Sequence, residues 1–278
     1  MEIYEEIGKG AFGTIYEGYF GDDVVAIKTL TPLTPGISLG FKEFRHEVSV
    51  MSSLKHSNLV NLFAISMDPF AIVMEFLPYG NLYEFVNNPA SPKDWALALR
   101  IAIDVANGIY HMHTAHPPFI HRDLKSPNVL LCGFNPSEIC AKIADFGTAV
   151  EMYLPSLRDK SSAFRDVANP TWLAPEIMSQ EEYTEKSDIY SFGVILWEIV
   201  ARQHPFQEFG FDFMFELEDA IKSNMRPTFP AHSPEEYNSL VNRCWQGDPN
   251  KRPSMFEALI SLYELSSIAP ELDFPEDI

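Results

Sequence analysis

Cysteine is scarce in this 278-residue sequence: there are three, Cys132, Cys140 and Cys244, and none sits in a C-x-x-C pair. An odd number without that spacing predicts neither a disulfide framework nor a zinc site, and a reducing cytoplasm is the simplest setting. Long apolar runs are also lacking. The most apolar segment, Ser191 to Val200, falls well short of the about 18 residues that a membrane span needs and carries Glu198, so no membrane insertion is expected. Basic charge is in the minority, with 20 Lys and Arg against 39 Asp and Glu and a formal net charge of −19. Nucleic-acid binding wants a basic face, so no nucleic-acid partner is expected. The acidic excess either steers basic protein substrates or only keeps the protein soluble. A basic leader is missing as well, since Glu2, Glu5 and Glu6 stand where a signal peptide carries cations. No repeat at solenoid period and no long low-complexity stretch is found.

What is present suits a globular chain. Apolar residues make up 46% and charged residues 21%, and a chain of this length buries about three quarters of its unfolded surface. Short β-type runs come first: Thr14 to Phe20, Val24 to Leu30, Leu62 to Ser66 and Phe70 to Phe76. One helix interrupts them, with Phe44, Glu47, Val48, Met51 and Leu54 on one face of Phe41 to Leu54. The Pro- and Gly-containing stretch Thr31 to Gly40 before it predicts a loop. After Leu77-Pro78-Tyr79-Gly80 the pattern turns helical, over Asn81 to Val86, Lys93 to Thr114, Ser187 to Ala201, Phe211 to Ser223, Pro234 to Gln246 and Pro253 to Leu265. The expected organisation is a small lobe over 1–77 and a larger helical lobe over 78–278. The start just before a glycine-rich turn and the end soon after the last helix predict a unit cut from a longer chain, whose other domains would be partners.

Gly8-Lys9-Gly10-Ala11-Phe12-Gly13 has glycines that let backbone approach phosphates closely. A dinucleotide fingerprint would be followed by a helix, but Thr14 to Phe20 reads as a strand, and no Gly-Lys-Ser/Thr marks a Walker loop. In Val24-Val25-Ala26-Ile27-Lys28, period-two alternation puts Ala26 and Lys28 on one strand face. Glu47 turns into the apolar face of its helix, and an inward carboxylate calls for a cation, for which Lys28 is the obvious candidate. The alternatives are a structural turn, a surface lysine at a strand end and a surface glutamate.

The segment His121-Arg122-Asp123-Leu124-Lys125-Ser126-Pro127-Asn128, followed by Asp145-Phe146-Gly147, resembles the catalytic loop and metal-binding motif of protein kinases. The resemblance runs from Gly8 to Arg252. It implies an α+β bilobal protein kinase fold, with a small antiparallel β-sheet lobe containing one main helix and a larger, mostly α-helical lobe. It also implies ATP and Mg2+ as cofactors and protein substrates as partners. By resemblance Asp123 accepts or orients the substrate hydroxyl, Lys125 balances charge on the moving phosphoryl group, and Asn128 and Asp145 hold magnesium. The Lys28–Glu47 pair belongs to the active arrangement, and Gly8 to Gly13 cover the phosphates. Ile15, Ala26 and Leu130 sandwich the adenine, Met74 is the gatekeeper, and the backbone of Glu75, Phe76 and Leu77 binds the adenine edge. Ala174-Pro175-Glu176, Asp188 to Gly193 and Arg252 have structural roles, with Arg252 the partner of Glu176.

Lys125 follows the Ser/Thr kinase pattern. His121 to Asn128, Ala168 to Glu176 and Cys244-Trp245 are similar to the tyrosine kinase-like group. Within it, the loop before the Glu47 helix, Cys140 to Gly147 and Asn169 are similar to Roco-type kinases. Asn169 stands where most Ser/Thr kinases carry threonine, which keeps dual specificity open. Arg122 resembles the arginine of kinases whose activation segment is ordered by phosphorylation, and Ser161 or Ser162 is the expected autophosphorylation site. His111, His113 and His116 are spaced unevenly at a helix end and read as solvated or capping groups. A pseudokinase scaffold is the rival reading; it expects loss of Lys28, Asp123, Asn128 or Asp145, and all four are present.

Overall fold

The computed structural model describes residues 2–10, 13–30, 37–133, 138–152 and 169–268. The first part is an antiparallel sheet of β1 (Glu2–Gly10), β2 (Gly13–Phe20), β3 (Asp23–Leu30), β4 (Leu62–Met67) and β5 (Phe70–Glu75), in the spatial order β1-β2-β3-β5-β4. β1 escaped the periodicity reading because its side chains face water on both sides, so no alternation marks it. Helix α1 (Ile37–Ser53) packs against the sheet through Phe41 and Phe44, whose rings meet Phe70. It starts inside the expected Thr31 to Gly40 loop. No proline follows Pro35, and a single Gly40 costs a helix only about 1 kcal/mol, less than the phenylalanine packing returns.

From Asn81 onward the chain is largely helical: α2 (Leu82–Asn87), α3 (Trp95–Thr114), α4 (Pro175–Met178), α5 (Glu185–Ala201), α6 (Met214–Lys222), α7 (Glu235–Cys244) and α8 (Met255–Ile268). Caps fix several starts. Asn81 accepts from the Glu84 N–H at 2.9 Å, Asp94 from the Ala96 N–H at 2.8 Å, and Thr184 from the Lys186 N–H at 3.2 Å. Helix α6 begins three residues later than expected, after a single 3-10 turn at Gln207–Phe209. Helix α5 is buried on nearly every side and forms the axis of this part. Together the sheet with its helix and the helical remainder make the expected α+β arrangement.

Two small pairs lie where the parts meet: β6 (Phe119–Ile120) with β9 (Val150–Glu151), and β7 (Val129–Cys132) with β8 (Cys140–Ile143). Cys132 and Cys140 are register partners in the second, with Cα atoms 5.2 Å apart and their sulfurs joined. This corrects the expectation that no cysteines pair. Hairpin register rather than sequence spacing brings them together, and Cys244 stays free and buried.

Candidate active site

The sheet presents one wall of a cleft. Lys28 on β3 lies opposite Ile15 on β2 and Ile72 on β5, and Ala26 lies opposite Met74. Alternation therefore sets Ala26 and Lys28 on the face that carries Met74. Ala26, Met74 and Leu77 are buried, whereas Ile15 and Leu130 are half-buried at the edge. The glycine turn closes where Gly10 pairs with Gly13, and Lys9 keeps an exposed side chain. Ala11 and Phe12 lie outside the described residues. In the segment after β5, the Glu75 N–H donates to the Asn61 carbonyl at 3.0 Å, and its carboxylate takes up Lys142 at 2.7 Å.

At the back of the cleft one cation lies between two acids. Lys28 Nζ reaches Glu47 Oε1 at 2.6 Å and Oε2 at 2.9 Å, and Asp145 Oδ1 at 3.4 Å. Burial alone would lower the lysine pKa, but Glu47 and then Asp145 raise it, so the ammonium stays charged. Burial would raise Asp145, yet Lys28, His121 and Lys125 hold it below the usual carboxylate value. Glu47 is raised, by burial first and also by the second acid, against the pull of Lys28. Asp145 sits at φ 62°, a left-handed conformation uncommon outside glycine, which turns a 47% exposed carboxylate into the cleft. Phe146 beside it is buried against His121.

The facing wall is the loop from His121 to Asn128. Lys125 Nζ donates to both Asp123 oxygens, at 2.8 and 3.1 Å, and Asn128 Nδ2 donates to the Asp123 carbonyl at 2.8 Å and to Oδ2 at 3.1 Å. The loop is held from beneath by buried Asp188 at the start of α5, which accepts from the N–H groups of His121 and Arg122 at 2.9 and 3.1 Å and bonds His113 Nε2 at 2.9 Å. Burial would raise the Asp188 pKa, and His113 first and then His121 reverse it to a lowered value. Those bonds stabilise Arg122 at φ 70°, while its guanidinium lies over the Tyr183 ring at 4.8 Å. His113, expected to be a solvated or capping group, instead has a buried side chain bonded to Asp188. Among the described residues no group of three or more His, Cys, Asp or Glu is arranged to hold a metal.

Two connections reach further. Arg252 pairs bidentately with Glu176, joining the turn before α8 to α4. Asn169 Oδ1 accepts from Thr171 Oγ1 at 2.6 Å and from its N–H at 3.0 Å, turning toward its own segment. Sequence reasoning missed Glu198. Wholly buried on α5, it accepts from Ser126 Oγ of the loop and from Trp172 Nε1 of the segment before α4, both at 2.7 Å. Burial pushes its carboxyl up to about 8 against those two hydrogen bonds. The signal was in view, as the one charge in the most apolar run of the sequence.

The donor set suits a hard divalent cation. With Nδ2 spent on Asp123, the Asn128 carboxamide presents its oxygen, and ionised Asp145 supplies a second oxygen ligand. Three carboxylates, Asp123, Asp145 and Glu47, share two ammonium groups, Lys28 and Lys125, so positive charge is in deficit.

Residues 1–262 match the family described as protein tyrosine and serine/threonine kinase. Three curated relatives come from Dictyostelium discoideum; of these, "Probable serine/threonine-protein kinase roco6" is 43% identical over 256 residues, covering 89% of this chain and 12% of that protein. "Probable serine/threonine-protein kinase roco5" is 40% identical over 280 residues, covering 97% and 10%. "Cyclic GMP-binding protein C" is 38% identical over 287 residues, covering 94% and 11%. The chain thus spans about a tenth of the length of these relatives.

Proposed function

The chain belongs to the protein tyrosine and serine/threonine kinase family, and from that premise we propose that it transfers the γ-phosphoryl group of ATP to serine and threonine hydroxyls of protein substrates. The observation that carries this reading is the Lys28 ammonium held between Glu47 at 2.6 Å and Asp145 at 3.4 Å, with the Asp123 carboxylate paired to Lys125 at 2.8 Å.

Magnesium, when bound, neutralises phosphate charge; Asn128 and Asp145 would hold it. Ile15, Ala26, Met74 and Leu130 enclose the adenine. The donor for its edge comes from the Phe76–Leu77 stretch, since the Glu75 N–H is already spent on Asn61. The backbone from Gly8 to Gly13 covers the phosphates, and Lys28 aligns them. Asp123 orients the acceptor hydroxyl and takes its proton as the new O–P bond forms and the bond to the bridging oxygen of ADP breaks. Lys125 balances the charge that builds up on the transferred group. Positioning and charge supply most of the acceleration in this chemistry.

The two lobes are 1–77 and 78–278. Arg122 receives a phosphorylated activation segment, with Ser161 or Ser162 modified; both serines lie outside the described residues. Mass spectrometry after incubation with Mg2+ and ATP should find that phosphate, and full activity without it sinks this regulation. The setting is cytoplasmic on the resemblance to protein kinases alone, because the joined Cys132 and Cys140 take away the support from unpaired cysteines, and other domains of a longer parent chain are the expected partners. Among the described residues no helix is long and apolar enough to cross a membrane. Asn169, turned to Thr171, leaves room for tyrosine as an additional acceptor. Phosphoamino-acid analysis decides that point.

Radiolabel from γ-labelled ATP should pass to a generic protein acceptor, and Asp123→Asn should lose nearly all of that rate. Nucleotide binding without any transfer would establish the scaffold reading instead.

A further inference from the structure

An aromatic group lies in water at the start of α6. Phe213 and Phe215, at the start of α6, are 60% and 61% exposed, the two most exposed large apolar side chains among the described residues. Met214 between them is 55% exposed, and Phe209 on the preceding turn 38%. The rings pack in two groups. Phe213 stacks on Phe215 at 5.4 Å, and Phe209 bridges buried Phe206 at 6.4 Å and Phe211 at 5.8 Å. Glu216 Oε2 accepts from the N–H groups of Asp212 and Phe213, at 3.1 and 3.2 Å, and so fixes the backbone that presents Phe213. Contiguous exposed apolar surface rimmed by polar groups marks interaction sites.

The rim is mainly acidic: Glu208, Asp212, Glu216, Glu218 and Asp219 fall within this stretch, with Glu208 accepting from Thr228, Glu216 from the Asp212 and Phe213 N–H groups and Glu218 paired with Lys222. The cations of the region are otherwise engaged: Arg202 reaches carbonyls of Pro92 and Asn88, Arg226 those of Trp245 and Met225, and Lys222 pairs with Glu218 at 2.6 Å. Helix α6 also packs beside α4, the end of the segment that leads away from the cleft.

We propose that the Phe209–Phe215 rim is a docking surface for a basic segment of the protein substrate that carries apolar anchors between its lysines or arginines. The apolar side chains of that segment cover the rings, and its cations meet the acidic rim, which supplies specificity and steering rather than most of the affinity. The proposal rests on the kinase reading only for the word substrate.

The test is fluorescence anisotropy on the 278-residue protein without ATP. The probe is a short fluorescein-labelled peptide of alternating lysine and leucine, with glutamate-for-lysine and serine-for-leucine controls. The lysine–leucine peptide should bind at least about tenfold more tightly than either control, and added salt should weaken it. Phe213→Ala with Phe215→Ala should weaken binding about tenfold with melting unchanged, because both rings are solvated. The pair Phe63→Ala and Met67→Ala, exposed on β4, should leave binding as it was. Equal binding by the Phe213/Phe215 variant overturns the proposal, and so does equal binding of the glutamate peptide. A dimer that this variant dissolves, without peptide affinity, overturns it in favour of a second copy. If docking fails, radiolabel transfer to a short acceptor is untouched, whereas failure of the kinase reading leaves anisotropy intact.

Discussion

Glu176 and Arg252, 76 positions apart, close a bidentate ion pair with Nη1–Oε1 at 2.6 Å and Nη2–Oε2 at 2.7 Å, buried from solvent on both sides. The guanidinium also donates to the Gln246 and Lys186 carbonyls and lies over the Tyr190 ring. Arg252→Ala would leave a buried carboxylate without its cation, so a loss of about 3–5 kcal/mol in urea unfolding is expected. The double variant Arg252→Met with Glu176→Leu should recover a large part of it, since apolar replacement of both partners removes the stranded charge.

Glu47→Gln and Lys28→Met should each lower kcat/KM by about a hundredfold, the scale for one preorganised electrostatic partner. Neither change touches Asp123. Because the two side chains act as a unit, the double variant should be little worse than either single one. Strictly multiplicative losses in steady-state transfer assays would show that Lys28 acts without Glu47.

Much of the site could be read from the chain because its motifs are contiguous. Asp123, Lys125 and Asn128 lie within one loop, so their order already sets their geometry, and Asp145 follows on the next hairpin. The inward turn of Glu47 was legible from helical spacing, and its partner from the cost of an unpaired buried charge. Contacts made by register or by the crossing of distant elements were not legible. Cys132 meets Cys140 only because the β7–β8 hairpin aligns them, and Glu198 finds Ser126 and Trp172 only because α5 runs beneath both. The early start of α1 was hidden by Gly40, which local propensity reads as a break and packing overrules.

Gly193 in α5 tests how tightly that central helix is gripped. A Cβ there would stand 2.9 Å from the Cys244 Cβ and 3.1 Å from the Trp245 N, both held by the backbone of α7 and its end. Alanine gains about 1 kcal/mol of helix propensity over glycine. Overpacking against a rigid neighbour costs about 1–3 kcal/mol, so the clash should win. Gly193→Ala is expected to lower the melting temperature, and an unchanged or raised value would mean that α7 gives way.

The Glu198 carboxyl offers a pH test with a definite sign. Its ordinary value of 4.5 is pushed up to about 8 by burial. Between those values the folded protein holds a proton that the unfolded chain has released, so raising the pH favours unfolding. Its contribution is therefore in place below 4.5, fades as pH rises through the window, and levels off above about 8. The slope is about 1.4 kcal/mol per pH unit within the window. Glutamine imitates the protonated acid, with its oxygen accepting from Trp172 and its amide donating to Ser126. Melting curves of Glu198→Gln should consequently match the unsubstituted protein near pH 5 and rise above it progressively toward pH 8. A constant offset between the two proteins across that range would assign the titration elsewhere.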